Sequence, residues 1–274
     1  MTLLSIKNES VVYQGKNKNV LAVNNVSFDI EQQDSVGIVG ESGSGKSTLA
    51  LALLKLLPKN AEVTGEVLFE DRDLLKLSKD EFDDLRWKEI SIVFQKSMNS
   101  LSPIHKIGDQ MSDIYTLHDK SADKDEVKEK IISLLEMVNL PPRVYTMYQH
   151  ELSGGMMQRV SIALSLMHNP KLIIMDEATT ALDVITQGQI LNEISELEKK
   201  LKVARIMISH DMSVVANTCR KIAVMYAGYL VEFGLVEDVI LNPMHPYTQG
   251  LLKSFPSLKG ERVELRSIPG YLPD

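Results

Sequence analysis

Lys46 stands between Gly45 and Ser47 in the segment Gly40 to Thr48, GESGSGKST, directly behind the apolar run Ser35-Val36-Gly37-Ile38-Val39. The fixed positions are those of G-x-x-x-x-G-K-[ST]: Gly40, Gly45, Lys46 and Ser47. Glycines let such a loop curl with its N–H groups inward, the lysine brings a positive charge to the β- and γ-phosphates, and the hydroxyl of Ser47 can hold Mg²⁺. Ser42, Gly43, Ser44 and Thr48 complete the candidate phosphate cradle. A helix expected from Ser47 through Leu57 adds the positive end of its dipole. The chemistry this predicts is binding of a nucleoside triphosphate.

Three further segments carry functional groups. Ser153-Gly154-Gly155, within LSGGM, opens an Ala/Leu-rich stretch and again offers N–H groups and a hydroxyl to an anion. Alone, it would be an ordinary helix cap. Leu172-Ile173-Ile174-Met175 runs into Asp176-Glu177. An acidic residue ending a buried strand beside a P-loop is placed to hold Mg²⁺, and Glu177, one residue on, is aimed differently and can polarise an attacking water. His210 follows the apolar strand Val203 to Ser209, expected beside the acidic one, and is a candidate γ-phosphate contact.

The elements that must position these groups follow from periodicity. Val26, Phe28 and Ile30 alternate with polar residues, Val63 to Phe69 reads as a short strand, and so does the β-branched and aromatic run Ile90 to Phe94. Val127, Ile131, Leu134, Leu135 and Val138 recur at helical spacing, with Pro141-Pro142 as the stop. Ile190, Ile194, Leu197 and Leu201 mark an amphipathic helix, and Lys221 to Phe233 a hairpin turning at Ala227-Gly228. Strands alternating with helices around a P-loop predict an α/β fold with a largely parallel sheet and a helical insertion from about Ser97 to Ser161. The tail from Leu241 is richer in proline and reads as irregular.

Bulk composition narrows the classes. The 274 residues suffice for one large α/β domain with an inserted subdomain, and 44% apolar residues supply a core. A net charge of −7 argues against a nucleic-acid surface. One cysteine, Cys219, excludes an internal disulfide and points to a reducing compartment. No run approaches the roughly 18 to 20 apolar residues of a membrane span, and Met1 to Lys7 lacks a basic n-region. The expectation is a cytosolic chain that reaches a membrane only through partners.

A P-loop alone could belong to a kinase, a GTPase or a motor. Lys46, Gln95, LSGGM, LIIMDE, Ala181-Leu182-Asp183 and Ser209-His210, in this order, resemble the ATPase subunit of an ABC transporter along essentially the whole chain. The resemblance implies a RecA-like P-loop core with an N-terminal antiparallel β-subdomain and an inserted α-helical subdomain. Its expected divisions are residues 1–96, 97–162 with the signature segment, 163–240 for the rest of the core, and 241–274 for an extension. It implies ATP and Mg²⁺ as cofactors, with Ser47, Gln95 and Asp176 toward the metal. Glu177, His210 and Gln95 serve hydrolysis, and Tyr13 stacks on adenine. Asp183 crosses a dimer interface, and Ser153 with Gly154 and Gly155 serves the nucleotide of a second ATPase subunit, a copy or a paralogue.

The tail Asn242-Pro243-Met244-His245-Pro246-Tyr247-Thr248, with Ile268-Pro269-Gly270, is similar to the extension of oligopeptide, dipeptide and nickel importer ATPases. That implies two membrane permease subunits, an extracellular solute-binding protein working through them, and a place on the cytoplasmic face of the membrane. Some relatives of this type carry a C-terminal iron–sulfur cluster, which a chain with only Cys219 is not expected to hold. Ala178, where the family usually has proline, and Met157, where arginine is common, read as drift. Two alternative classes are a non-transport ABC ATPase acting on nucleic acid or ribosomes, whose long coiled-coil or zinc-bearing insertions or second cassette are not present, and an exporter subunit, against which the HPYT-type tail stands. The transported solute is not readable from this chain.

Overall fold

The computed structural model describes residues 1–94, 101–178 and 183–254. In chain order the first elements are strands β1 (Thr2–Tyr13), β2 (Val20–Glu31) and β3 (Ser35–Val39), helix α1 (Lys46–Leu53), and strands β4 (Ala61–Phe69) and β5 (Arg72–Asp73). Next come α2 (Lys79–Leu85), β6 (Ile90–Val93), α3 (Ile107–His118), α4 (Lys124–Met137), α5 (Gly154–Ser165) and β7 (Leu172–Asp176). The chain continues with α6 (Val184–Leu201), β8 (Ala204–Ile208), α7 (Met212–Thr218), β9 (Lys221–Tyr226), β10 (Tyr229–Leu235), α8 (Val236–Leu241) and α9 (Pro246–Ser254). These form two compact units: Met1–Leu77 with the chain from Ile206 on, and Ser78–Arg205.

In the first unit β2, β1, β4 and β5 make an antiparallel sheet in that order. Val26, Phe28 and Ile30 face inward on β2 as the alternation predicts, pairing with a β1 that buries Leu4, Ile6 and Val11. The same unit carries β3, parallel to β9, with Val36 opposite Lys221 and Val39 opposite Val224. The end of β8 reaches β3 through the Ser209 N–H, 3.1 Å from the Ile38 carbonyl. Val36, Ile38 and Val39 are all buried, the pattern of a strand covered on both faces. The hairpin of β9 and β10 turns at Ala227 and Gly228, both at positive φ, as a two-residue loop matched to strand twist requires. Gly37 lies under α7, where a β-carbon would come 2.1 Å from Val215 Cγ1.

In the second unit β6 runs parallel to β7, Ile90 opposite Leu172 and Val93 opposite Met175. The surrounding helices have their own end signals. Ser78 and Glu81 form a capping box at α2, and Asp123 accepts the N–H groups of Asp125 and Glu126 at α4. The end of α4 is set one turn before the prolines: Asn139 is left-handed at φ 56, and the Leu140 N–H returns to the Leu135 carbonyl at 2.8 Å. Buried Arg205 pairs with Glu198 at 2.9 Å, joining β8 to α6.

Two expectations need correction. The helix after the P-loop ends at Leu53 rather than Leu57, because Lys55 is left-handed (φ 51) and the Leu56 N–H turns back to the Leu51 carbonyl. The segment after Leu241 is not irregular throughout: Pro246 occupies the first position of α9, where its missing N–H costs nothing.

Candidate functional site

The P-loop joins β3 to α1 and is built around its lysine. Lys46 is 5% exposed, and its ammonium donates to the Gly40 carbonyl at 2.8 Å, the Glu41 carbonyl at 2.7 Å and Ser44 Oγ at 3.3 Å. Gly45 caps α1 from the left-handed region, φ 97, and a β-carbon there would come 2.3 Å from the Ala22 carbonyl oxygen. Gly40, at φ 152, leaves no room for a side chain either, since Met225 O would be 2.1 Å away. Glycine is therefore required at both positions by backbone angle and by neighbouring backbone. The Gly228 N–H braces the loop by donating to the Ser44 carbonyl at 3.1 Å. Ser42, Gly43 and Ser47 face solvent, while Thr48 is half-buried with its Oγ1 3.4 Å from the Tyr13 hydroxyl.

His210 is exposed at the end of the same unit's β8 strand. Its neighbours hold the turn: Ser209 Oγ accepts the Asp211 N–H at 3.0 Å, and Asp211 caps α7 by accepting the Ser213 N–H at 2.8 Å. The first unit thus carries Tyr13, the P-loop residues and His210, with Tyr13 in contact with Thr48.

The second unit holds the other set. Asp176 ends β7 and is 9% exposed, and Glu177 follows at φ 47. Ser153 caps α5 by accepting the Met156 N–H at 3.3 Å, which leaves Gly154 and Gly155 in the first turn. Asp183 caps α6 through the Thr186 N–H at 3.0 Å and the Thr186 hydroxyl at 2.7 Å. Gln95, Ala181 and Leu182 lie outside the described residues.

Two contacts had no signature in the sequence reading. Arg159 Nε and Nη2 pair with Glu193 Oε2 and Oε1 at 2.9 and 3.0 Å, linking the helix behind Ser153 to the helix behind Asp183. The Tyr247 hydroxyl accepts the Glu41 N–H at 3.0 Å across 206 positions of sequence. A two-point Arg–carboxylate pair 34 positions apart, like a tyrosine reaching from the tail, leaves no local pattern to read.

A lysine-filled glycine loop between a buried strand and a helix, in a chain that also bears an acidic strand end, defines a P-loop nucleotide-binding protein. Residues 23–180 match the family described as ABC transporter, and residues 231–274 match the oligopeptide/dipeptide transporter C-terminal region. The chain is 44% identical over 277 residues to an oligopeptide transport ATP-binding protein of Bacillus subtilis, covering 99% of this chain and 77% of that one. Similarity to a dipeptide transport ATP-binding protein of Lactococcus lactis subsp. cremoris is 43%, over 99% and 79%. Among solved structures, a dimeric ATP-binding cassette in a post-hydrolysis state bound to ADP and Pi superimposes with a TM-score of 0.75 at 27% identity, over 85% of this chain and 98% of the other. The chain belongs to the ABC transporter family, as a cassette that binds and hydrolyses ATP. Its fold is the expected α/β cassette, with an antiparallel sheet beside the P-loop strand.

Proposed function

We propose that this chain is the ATPase of an importer for peptides or a related solute, working through separate permease subunits. The observation that carries the reading is the match of residues 231–274 to the oligopeptide/dipeptide transporter C-terminal region, in a chain whose residues 23–180 match the ABC transporter family. Among the described residues no helix is long and apolar enough to cross a membrane. We place this chain on the cytoplasmic face of the membrane that holds those permeases.

The residues support a division of labour. Lys46 and the loop N–H groups hold the phosphates, and Tyr13 takes the adenine. Hard oxygen donors suit Mg²⁺, and the Asp176 carboxylate, the Ser47 hydroxyl and Gln95 are the residues that would hold it. The metal's contribution there is to neutralise charge on the phosphates. Glu177 orients the attacking water and accepts its proton, while His210 and Gln95 hold the γ-phosphate and the water. Positioning and electrostatics account for most of such catalysis. Ser153, Gly154 and Gly155 serve the nucleotide on a second ATPase subunit, and Asp183 lies at that dimer interface. ATP closes the pair and hydrolysis reopens it, alternating the permeases between outward and inward states. An extracellular binding protein delivers the solute to them.

The test is reconstitution with the neighbouring permease subunits in vesicles. Peptide-loaded binding protein should stimulate ATP hydrolysis and drive peptide uptake. Purification with nucleic acid or ribosomes, and hydrolysis stimulated by those instead, would replace the transport reading with the non-transport one.

A further inference from the structure

The mechanism above gives the HPYT segment no task, yet two of its residues, His245 and Tyr247, make hydrogen bonds to neighbouring or distant backbone. Glu232 on β10 accepts the N–H groups of Met244 at 2.8 Å and His245 at 3.2 Å. Burial pushes that carboxyl up, but these donors outweigh it and hold it below the usual glutamate value. His245 Nδ1 accepts the Tyr247 N–H at 3.1 Å and starts α9. Tyr247 is 7% exposed, packed with Val39, Val224 and Leu251, its ring 4.5 Å from that of Tyr226. Packing of this kind would be satisfied by phenylalanine.

The hydroxyl has a separate task. It accepts the N–H of Glu41, the second residue of the P-loop, at 3.0 Å. That N–H belongs to the peptide whose other end is the Gly40 carbonyl, and the Gly40 carbonyl accepts the Lys46 ammonium at 2.8 Å. A peptide unit is planar, so fixing its N–H fixes its C=O. One peptide plane is thus clamped between a tyrosine from the tail and the lysine of the cradle. Burial pushes the phenol above its ordinary value of 10.0, so the group stays a neutral hydroxyl.

We propose that Tyr247 is a positioning residue for the P-loop: through its hydroxyl, the C-terminal helix fixes the Gly40–Glu41 peptide and with it the resting place of Lys46. Tail and cradle are then one device, and nucleotide affinity depends on how α9 is seated. The proposal rests on the ATP-binding reading. A loop held in its binding shape loses less freedom when ligand arrives, so releasing it lowers affinity.

The experiment is a direct ATP titration of the full chain, with hydrogen exchange followed over the P-loop. Tyr247→Phe keeps the ring and removes one neutral hydrogen bond. It should weaken ATP about two- to tenfold and speed exchange at the loop, with the melting temperature within about 2 °C of wild type. Glu41→Pro removes the donor, so Tyr247→Phe added to it should cost nothing further. Should Glu41→Pro not fold, the exchange rate of Tyr247→Phe decides alone. Wild-type affinity and loop exchange in Tyr247→Phe would overturn the proposal. So would full additivity with Glu41→Pro, or a loss of affinity that only follows a falling melting temperature. Failure of the wild-type chain to bind ATP would instead overturn the nucleotide reading beneath it.

Discussion

Arg159 and Glu193 meet through two parallel hydrogen bonds, 2.9 and 3.0 Å, that fasten α5 to α6. Both side chains are mostly buried, at 16% and 22% exposure, so the pair is only weakly screened. The helices it couples are those capped by Ser153 and Asp183, the two residues of this chain proposed to face a second ATPase subunit. Glu193→Ala strands the guanidinium and should lower stability by about 1.5–3 kcal/mol, the range for charged hydrogen bonds. Urea unfolding would measure it, and an unchanged midpoint would show the pair to be incidental.

Lys46→Ala should weaken ATP binding itself as well as turnover, because the charge is engaged before the chemistry begins. The ammonium's place among the Gly40 and Glu41 carbonyls and Ser44 adds a second expectation. Without it those acceptors face one another unneutralised, and loop exchange should rise even in nucleotide-free protein. Unchanged affinity in a titration would move the phosphate contact elsewhere.

Glu177→Gln should retain ATP binding and lose roughly 10² to 10⁴ in hydrolysis, the usual worth of a positioned general base. The variant should accumulate as a closed, ATP-bound pair. Near wild-type turnover in the assembled transporter would assign the base to another residue.

A heterodimer carrying Ser153→Arg on this chain should keep nucleotide at its own P-loop and lose hydrolysis at the partner's. Site-resolved nucleotide trapping distinguishes the two sites. Loss confined to this chain's own site would mean that both motifs act in cis.

Glu9 offers a test of pH dependence away from the nucleotide. Its side chain is fully buried with no hydrogen-bond partner among the described residues, and burial pushes its carboxyl from 4.5 to about 8. The folded chain keeps this proton where the unfolded chain releases it. Its contribution to stability is therefore full below pH 4.5 and is lost as pH rises to about 8, at up to about 1.4 kcal/mol per pH unit. Glu9→Gln removes the titration, so its advantage over wild type should grow across that window. Parallel stability curves would show that Glu9 is ionised in the fold.

The same stretch of β1 shows where sequence reading stops. Residues near the P-loop were legible because a single local rule covers them: an apolar run, glycines at fixed spacing, then a helix. The β9–β10 hairpin and the acidic end of β7 are equally local. β1 escaped because its alternation breaks at Asn8, left-handed at φ 51, with register shifts on both sides of Glu9. The ends of α1 and α4 depended on left-handed Lys55 and Asn139, which residue type hardly advertises. Ala178 was legible as a departure from the family. Nothing in the structure explains the alanine. The contacts of Tyr247 and Arg159 are tertiary and had no sequence signal at all.

Gly37 contributes no functional group, yet it bears on the seating of the helix that follows His210, the residue proposed to contact the γ-phosphate. Because Val215 Cγ1 occupies the space where its β-carbon would stand, α7 rests directly on the backbone of β3. Asp211 caps the start of that helix and His210 comes just before the cap, so a helix pushed off the strand would carry both with it. Cores are packed too densely to absorb such a change without moving something. An alanine at 37 would act as a shim under α7, and the misalignment would be felt at His210.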